Sequence, residues 1–166
     1  MHTLILGLTI SGSVMLMELF SFMRLKNSLS TSGIRYDWLR SPVAKEVHDW
    51  TMARGVTIIT AQDVHEFSPA GIAERAADII GDGPSYLSLD IDVLDPAFAP
   101  GTGTPEIGGL ATWRMQTILR RLARANFVGM DMVEVAPPYD VVEITALAAA
   151  TMVWEYLALV GRRALT

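Results

Sequence analysis

The run YLSLDID, Tyr86 to Asp92, is apolar enough to be buried on both faces and ends in two carboxylates, and no other feature so narrows the folds open to this chain. A strand hidden on both sides belongs in a parallel sheet with helices over each face. The sequence after residue 30 supplies those partners by alternating short apolar strands with amphipathic helices. Ser32 to Arg35 is a short candidate strand. Ser41-Pro42 offers an N-cap and a first-turn proline for a helix running to Arg54, with Gly55 as its stop. Val56 to Thr60 is a β-branched strand. Ser68-Pro69 repeats the start signal, Ile72, Ala76 and Ile79 recur at helical spacing, and Gly81 ends that helix. A third helix, residues 111–125, carries Met115, Ile118, Leu119 and Leu122 on one stripe, and Phe127 to Val133 is the next strand. An alanine-rich helix over residues 143–160 closes the pattern; Glu155 interrupts it, which favours a core helix over a membrane span.

The loop after the acidic strand has prolines at 96, 100 and 105 and glycines at 101, 103, 108 and 109, so its backbone is stiff and open to close approach. In extended backbone Asp90 and Asp92 share one side while Ile91 turns into the core. Paired carboxylates in a partly buried place repel each other, and a hard or borderline divalent cation is the usual remedy. Glu134 lies in the run FVGMDMVEV just before Ala136, Pro137 and Pro138; a carboxylate in that setting needs a cation or a strong donor, and a planar guanidinium offers matching paired N–H donors, whether from a substrate or from a neighbouring arginine. Asp90, Asp92 and Glu134 all fall at carboxyl ends of strands, where open α/β sheets bind ligands. Asp95, before Pro96, holds the loop through its own backbone hydrogen bonds. Asp131, inside its strand, reads as a satisfied structural acid. His48 on a polar helix face and His65 in a loop read as isolated surface residues.

Two other motif classes begin in the same way. An EF-hand needs a third oxygen ligand, a glycine and a glutamate at its fifth, sixth and twelfth positions, where this chain has Leu94, Asp95 and Gly101. A haloacid-dehalogenase-like phosphatase needs a lysine downstream of its aspartates, and the lysines, Lys26 and Lys45, are both upstream. Neither class fits.

SYLSLDIDVLDPAFAPGTGTPEIGGL (Ser85 to Leu110), VGMDMVEVAPPYD (Val128 to Asp140) and EITALAAATMVWEYL (Glu143 to Leu157) together resemble the ureohydrolase family of arginases and agmatinases, most of all its agmatinase branch. The resemblance covers roughly residues 31–160, the C-terminal half or so of a family member. It implies an arginase-like α/β domain, with a mostly parallel sheet flanked by helices, of which residues 31–166 are the C-terminal part. It further implies two manganese ions, with Asp90 bridging both and Asp92 binding one, and a metal-bound hydroxide that attacks a guanidino carbon. Glu134 falls on the family's guanidinium-binding glutamate and Thr104 on a residue lining the substrate pocket. The implied reaction takes agmatine to putrescine and urea. Family members complete the metal site with a histidine in a GGDH-like motif and with a DAHxD-like run, and neither occurs in this sequence. The resemblance therefore implies an incomplete site, with little or no turnover by this chain alone. The alternatives it leaves are a non-catalytic partner of a complete ureohydrolase, and a hydrolase of another guanidino compound such as a guanidino acid.

Composition bounds the remaining classes. With 166 residues, 51% of them hydrophobic, the chain is long enough to bury one core and too apolar for general disorder. A net charge of -5 argues against a nucleic-acid partner bound through phosphates, and Arg120, Arg121 and Arg124 read as a solvated helix face. The absence of cysteine excludes disulfides and thiolate chemistry and fits a cytoplasmic setting. Residues 1–30 are an atypical apolar segment without a family motif. From Leu4 to Met23 the single charge is Glu18, yet Thr9, Ser11, Gly12 and Ser13 weaken a membrane span, and MHTLILG lacks the positive start of a signal peptide. This segment is expected to pack against the sheet or stay loosely attached, without crossing a membrane. A homo-oligomer, or association with a complete homologue, is the expected assembly.

Overall fold

A computed structural model of the chain describes residues 2–6, 34–36, 45–53, 57–163 and 165. Its centre is an all-parallel five-stranded sheet: β1 (His2–Leu6), β2 (Ile34–Tyr36), β3 (Thr57–Ile58), β4 (Pro84–Asp90) and β5 (Asn126–Val133), in the order β3-β2-β1-β4-β5. The chain steps outward from β1 to β2 and β3, then returns to the other side of β1 with β4 and β5. That reversal creates a switch point between β1 and β4, where an open α/β sheet leaves a crevice at its carboxyl edge. Asp90 is the last residue of β4, so it stands at that carboxyl edge.

The helices are α1 (Lys45–Met52), α2 (Ala61–Glu66), α3 (Pro69–Ile80), α4 (Thr112–Arg121) and α5 (Ile144–Arg163). Ser68 caps α3 by accepting from the Gly71 N–H, with Pro69 in the first turn, as the Ser-Pro signal requires. At the other end Gly81 has φ +63°, a conformation that glycine enters without a side-chain penalty. One core joins the sheet to the helices. Leu87 and Leu89 of β4 are fully buried with Ile72, Ala76 and Ile80 of α3, Met115, Ile118 and Leu119 of α4, and Met152 of α5. Burying each such Leu or Ile side chain contributes roughly 1.5–3 kcal/mol.

Several expectations need correction. Val56 to Thr60 is not one strand: β3 is limited to Thr57–Ile58, and Thr60 instead caps α2. Thr60 and Asp63 form a reciprocal capping box, which places His65 in a helix rather than a loop. His65 Nε2 lies 2.8 Å from the Gly108 carbonyl. Arg120 is not simply solvated, because its Nε donates to Glu155 Oε2 at 2.8 Å, and Gln116 also donates to that carboxylate. Glu155 is thereby held between α5 and α4 as a buried, paired acid.

The stretch Val141–Arg163 is long and apolar enough to cross a membrane by length and composition, with about a third of its most apolar window buried. Its inner face packs on α4 and β5. Of the N-terminal segment, His2–Leu6 enters the sheet as β1, while residues 7–33 lie outside the described residues, as do the Ser41-Pro42 start and the Arg54-Gly55 stop around α1.

Candidate active-site edge

Asp90 and Asp92 do not alternate along one strand, as extended backbone would require. β4 ends at Asp90, and Ile91–Val93 tighten into a 3-10 turn that Asp90 itself caps, its Oδ1 accepting from the Asp92 N–H at 3.0 Å. The cap ties the backbone of Asp92 to the Asp90 carboxylate. Both residues are almost fully enclosed, at 2% and 1% exposure. Capping thus turns out to be one of Asp90's roles, with its second oxygen not used by that turn.

The Pro/Gly loop is tied at its base and then pinned across the site. Leu94 bridges Leu110, and Asp95 accepts from the backbone of Ala97 with one oxygen and from Gly108 and Gly109 with the other, the local bonding expected of it. Further along, the Gly101 N–H donates to Thr145 Oγ1 and its carbonyl accepts from the Ala136 N–H, both at 2.8 Å. Asp140 completes this latch by accepting from the N–H groups of Thr145 and Ala146 at the start of α5. Burial pushes the Asp140 carboxyl's pKa up, but these donors outweigh it and leave the pKa below its ordinary value.

The latch brings two loops of distant sequence together. Thr104 donates to Asp92 Oδ2 at 3.0 Å, and the neighbouring Gly103 lies against Glu134, whose Oε2 would be 3.6 Å from a Cβ built on that glycine. Asp90 pairs in register with Val133, the residue just before Glu134. The structure therefore gathers Asp90, Asp92, Thr104 and Glu134 at one edge. Glu134 is half-buried with φ +63°, a left-handed conformation costly for a residue with a side chain, and among the described residues no arginine or lysine forms an ion pair with it.

Asp131 departs from its expected role. Its Oδ2 accepts from the Tyr86 hydroxyl at 3.3 Å, but its Oδ1 is buried without a hydrogen-bond partner. Burial first, and this carboxylate second, raise the Tyr86 pKa above its ordinary value. The latch residues Gly101, Asp140 and Thr145 were missed from sequence. Asp140 ahead of an apolar helix carries a capping signal that would have found one of them.

The sequence pattern of the arginase family matches residues 20–158, and the chain belongs to that family. Within it, the chain is similar to the agmatinase of Escherichia coli O1:K1, with 55% identity over 103 residues, covering 62% of this chain and 34% of that protein. Among solved structures it is similar to a hypothetical agmatinase of Burkholderia thailandensis (35% identity, TM-score 0.78), covering 97% of this chain and 51% of that one. It is also similar to the proclavaminate amidino hydrolase of Streptomyces clavuligerus (32% identity, TM-score 0.74), covering 83% of this chain and 47% of that one. The chain spans about a third of the length of the curated relative and about half of each solved chain.

The family's metal can be tested against these donors. Asp90 and Asp92 are hard oxygen ligands in an enclosed site, the right kind for a divalent cation. In number they fall short: among the described residues no three His, Asp or Glu side chains stand close enough to hold a metal together.

Proposed function

We propose that this chain carries the substrate-facing part of an agmatinase-type ureohydrolase site, for the manganese-dependent hydrolysis of agmatine to putrescine and urea. In this reading Asp90 and Asp92 are metal ligands, Glu134 clamps the guanidinium through paired N–H donors, and Thr104 orients Asp92 beside it. A bound divalent ion would lower the pKa of water and supply the nucleophile. The protein's own part is positional. Two enclosed carboxylates are held on a capped turn, and the clamp stands just past the neighbouring strand, two residues before Ala136, whose N–H the latched loop holds. The observation that carries the reading is that Asp90, Asp92, Thr104 and Glu134, spread over 45 residues of sequence, meet at the carboxyl edge of β4 and β5. The shortage of donors favours a second reading, a non-catalytic partner subunit.

Urea release decides between them. Joined through a flexible linker to the first half of the Escherichia coli agmatinase, this chain should release urea from agmatine with added manganese, and Asp92→Asn or Glu134→Gln should cut the rate by roughly 100-fold or more. A well-folded fusion with no turnover on agmatine would reject the hydrolase reading and leave the partner subunit. Turnover only on a guanidino acid would keep the chemistry and replace the substrate.

A further inference from the structure

A histidine touches the site loop from outside the acidic edge. His65 is an exposed residue of α2, and its Nε2 lies 2.8 Å from the Gly108 carbonyl. A carbonyl only accepts, so this ring nitrogen carries the proton and donates. The short helix that presents it is held from two directions. The Thr60–Asp63 capping box closes its first turn, and Arg114 Nη2, reaching from α4, donates to the carbonyls of Val64 and Phe67 at 2.8 and 2.9 Å, one on each side of His65.

The peptide that His65 grips joins two glycines. Gly108 has φ +85°, and nothing lies within 4 Å of a Cβ built there, so rotation of the Gly108–Gly109 peptide plane meets little steric resistance. Its two polar groups are nevertheless both taken. His65 holds the carbonyl, and the Gly109 N–H donates to Asp95 Oδ2 at 3.2 Å, beside the Gly108 N–H at 2.8 Å. In a trans peptide the carbonyl and the N–H point in opposite directions, so the two partners fix the plane between them. Gly109 in turn lies directly on neighbouring backbone, where a Cβ would be 2.4 Å from Asp95 N and 2.5 Å from the Leu94 carbonyl carbon. From there the path to the acidic turn is short. The Asp95 N–H donates to the Leu110 carbonyl at 3.0 Å, the Leu110 N–H donates to the Val93 carbonyl at 2.9 Å, and Val93 ends the 3-10 turn that carries Asp92.

We propose that His65 is a positioning residue for Asp92. By fixing the Gly108–Gly109 peptide it holds Asp95 and Leu110 against the end of the turn, and so sets where the Asp92 carboxylate stands beside Thr104. Its bearing on metal rests on the reading of Asp92 as a ligand. Outer partners of metal ligands typically change affinity by roughly 10–100-fold, and His65, several bonds removed, belongs at the lower end of that range.

Amide exchange and manganese-induced line broadening on the chain itself test this. His65→Leu keeps a good helix former at an exposed position, so the melting temperature should hold. The amides of Gly109, Leu110 and Asp92 should meanwhile exchange about 5–10-fold faster, as the loss of one hydrogen bond implies. His65→Gln, whose amide nitrogen can donate to the same carbonyl, should restore the parental exchange. Dilute manganese should broaden the Asp90 and Asp92 amide signals in the parent and in His65→Gln, and His65→Leu should need about tenfold more metal. Equal exchange in all three proteins would overturn the proposal, and so would faster exchange that glutamine fails to restore. Faster exchange with unchanged broadening would also overturn it, leaving His65 a fastener of the loop without effect on Asp92. If manganese broadens Asp92 in none of the three, the metal reading falls, and exchange of the Asp92 amide, itself bonded to Asp90 Oδ1, decides the positioning alone.

Discussion

Glu134 stands in a conformation that its side chain makes costly, and the cost is paired with a position no ordinary strand residue would reach. A left-handed residue with a Cβ loses about 1–2 kcal/mol, of which glycine recovers most before its own backbone entropy of about 0.5–1 kcal/mol is counted. Glu134→Gly should therefore raise stability by roughly 0.5 kcal/mol in urea unfolding while removing the proposed clamp. A loss of stability would mean that Glu134 holds the loop rather than serving a ligand. Gly101 presents the opposite case. A Cβ there would sit 2.5 Å from Asp140 Cβ and 2.7 Å from its Cα, so Gly101→Ala must push the two loops apart. The expected cost is about 1–3 kcal/mol, read as a lower denaturant midpoint with an unchanged slope.

The helices carry their own electrostatic test. Arg120 donates to Glu155 and holds its carboxyl pKa below the usual range against the opposing effect of burial. A depressed folded-state pKa means stability that is fully present above the ordinary carboxylate range and is lost as pH falls through the folded value. Glu155→Gln should thus be less stable than the parent near neutral pH, and thermal melts should show the gap closing on acidification. A gap independent of pH would assign the effect to packing. The pairing itself was not legible in sequence, where the arginines read as solvated, because Arg120 and Glu155 belong to helices brought together only by the core. Elements with local signals were legible. Ser68-Pro69 and Gly81 bounded α3, and the apolar stripe of α4 named its buried face. The capping box of α2 was overridden in sequence by the β-branched run before it, and the turn at Asp90 was hidden because a strand and a 3-10 turn share the same apolar alternation over two residues. The members of the site edge were visible one by one, but the latch was not, since it bonds the Gly101 N–H to the Thr145 hydroxyl 44 residues away and packs Gly101 against Asp140 39 residues away, contacts that no motif encodes.

For the whole molecule, the question is how much of a working site these residues supply. In the proposed reading two enclosed carboxylates, one of them hydrogen-bonded to Thr104, would offer a divalent ion only part of its oxygen ligands. The weak end of carboxylate-built calcium sites lies at roughly 10⁻⁴–10⁻³ M, and a site with two carboxylates is expected to be no tighter. With a Kd near 1 mM, 1 mM manganese would stabilise the folded chain by only about 0.4 kcal/mol, because the gain follows RT ln(1 + [L]/Kd). For a chain of this size that is a rise of about 1 °C in melting temperature. Titrating manganese into the chain alone during thermal unfolding should therefore give a small, shallow shift that Asp92→Asn removes. A shift of many degrees that still vanishes in Asp92→Asn would show that side chains outside the described residues complete the ligand set, and the chain would then hold its metal without a donated half. A shift that survives the substitution would place the ion elsewhere and take Asp92 out of the metal site altogether.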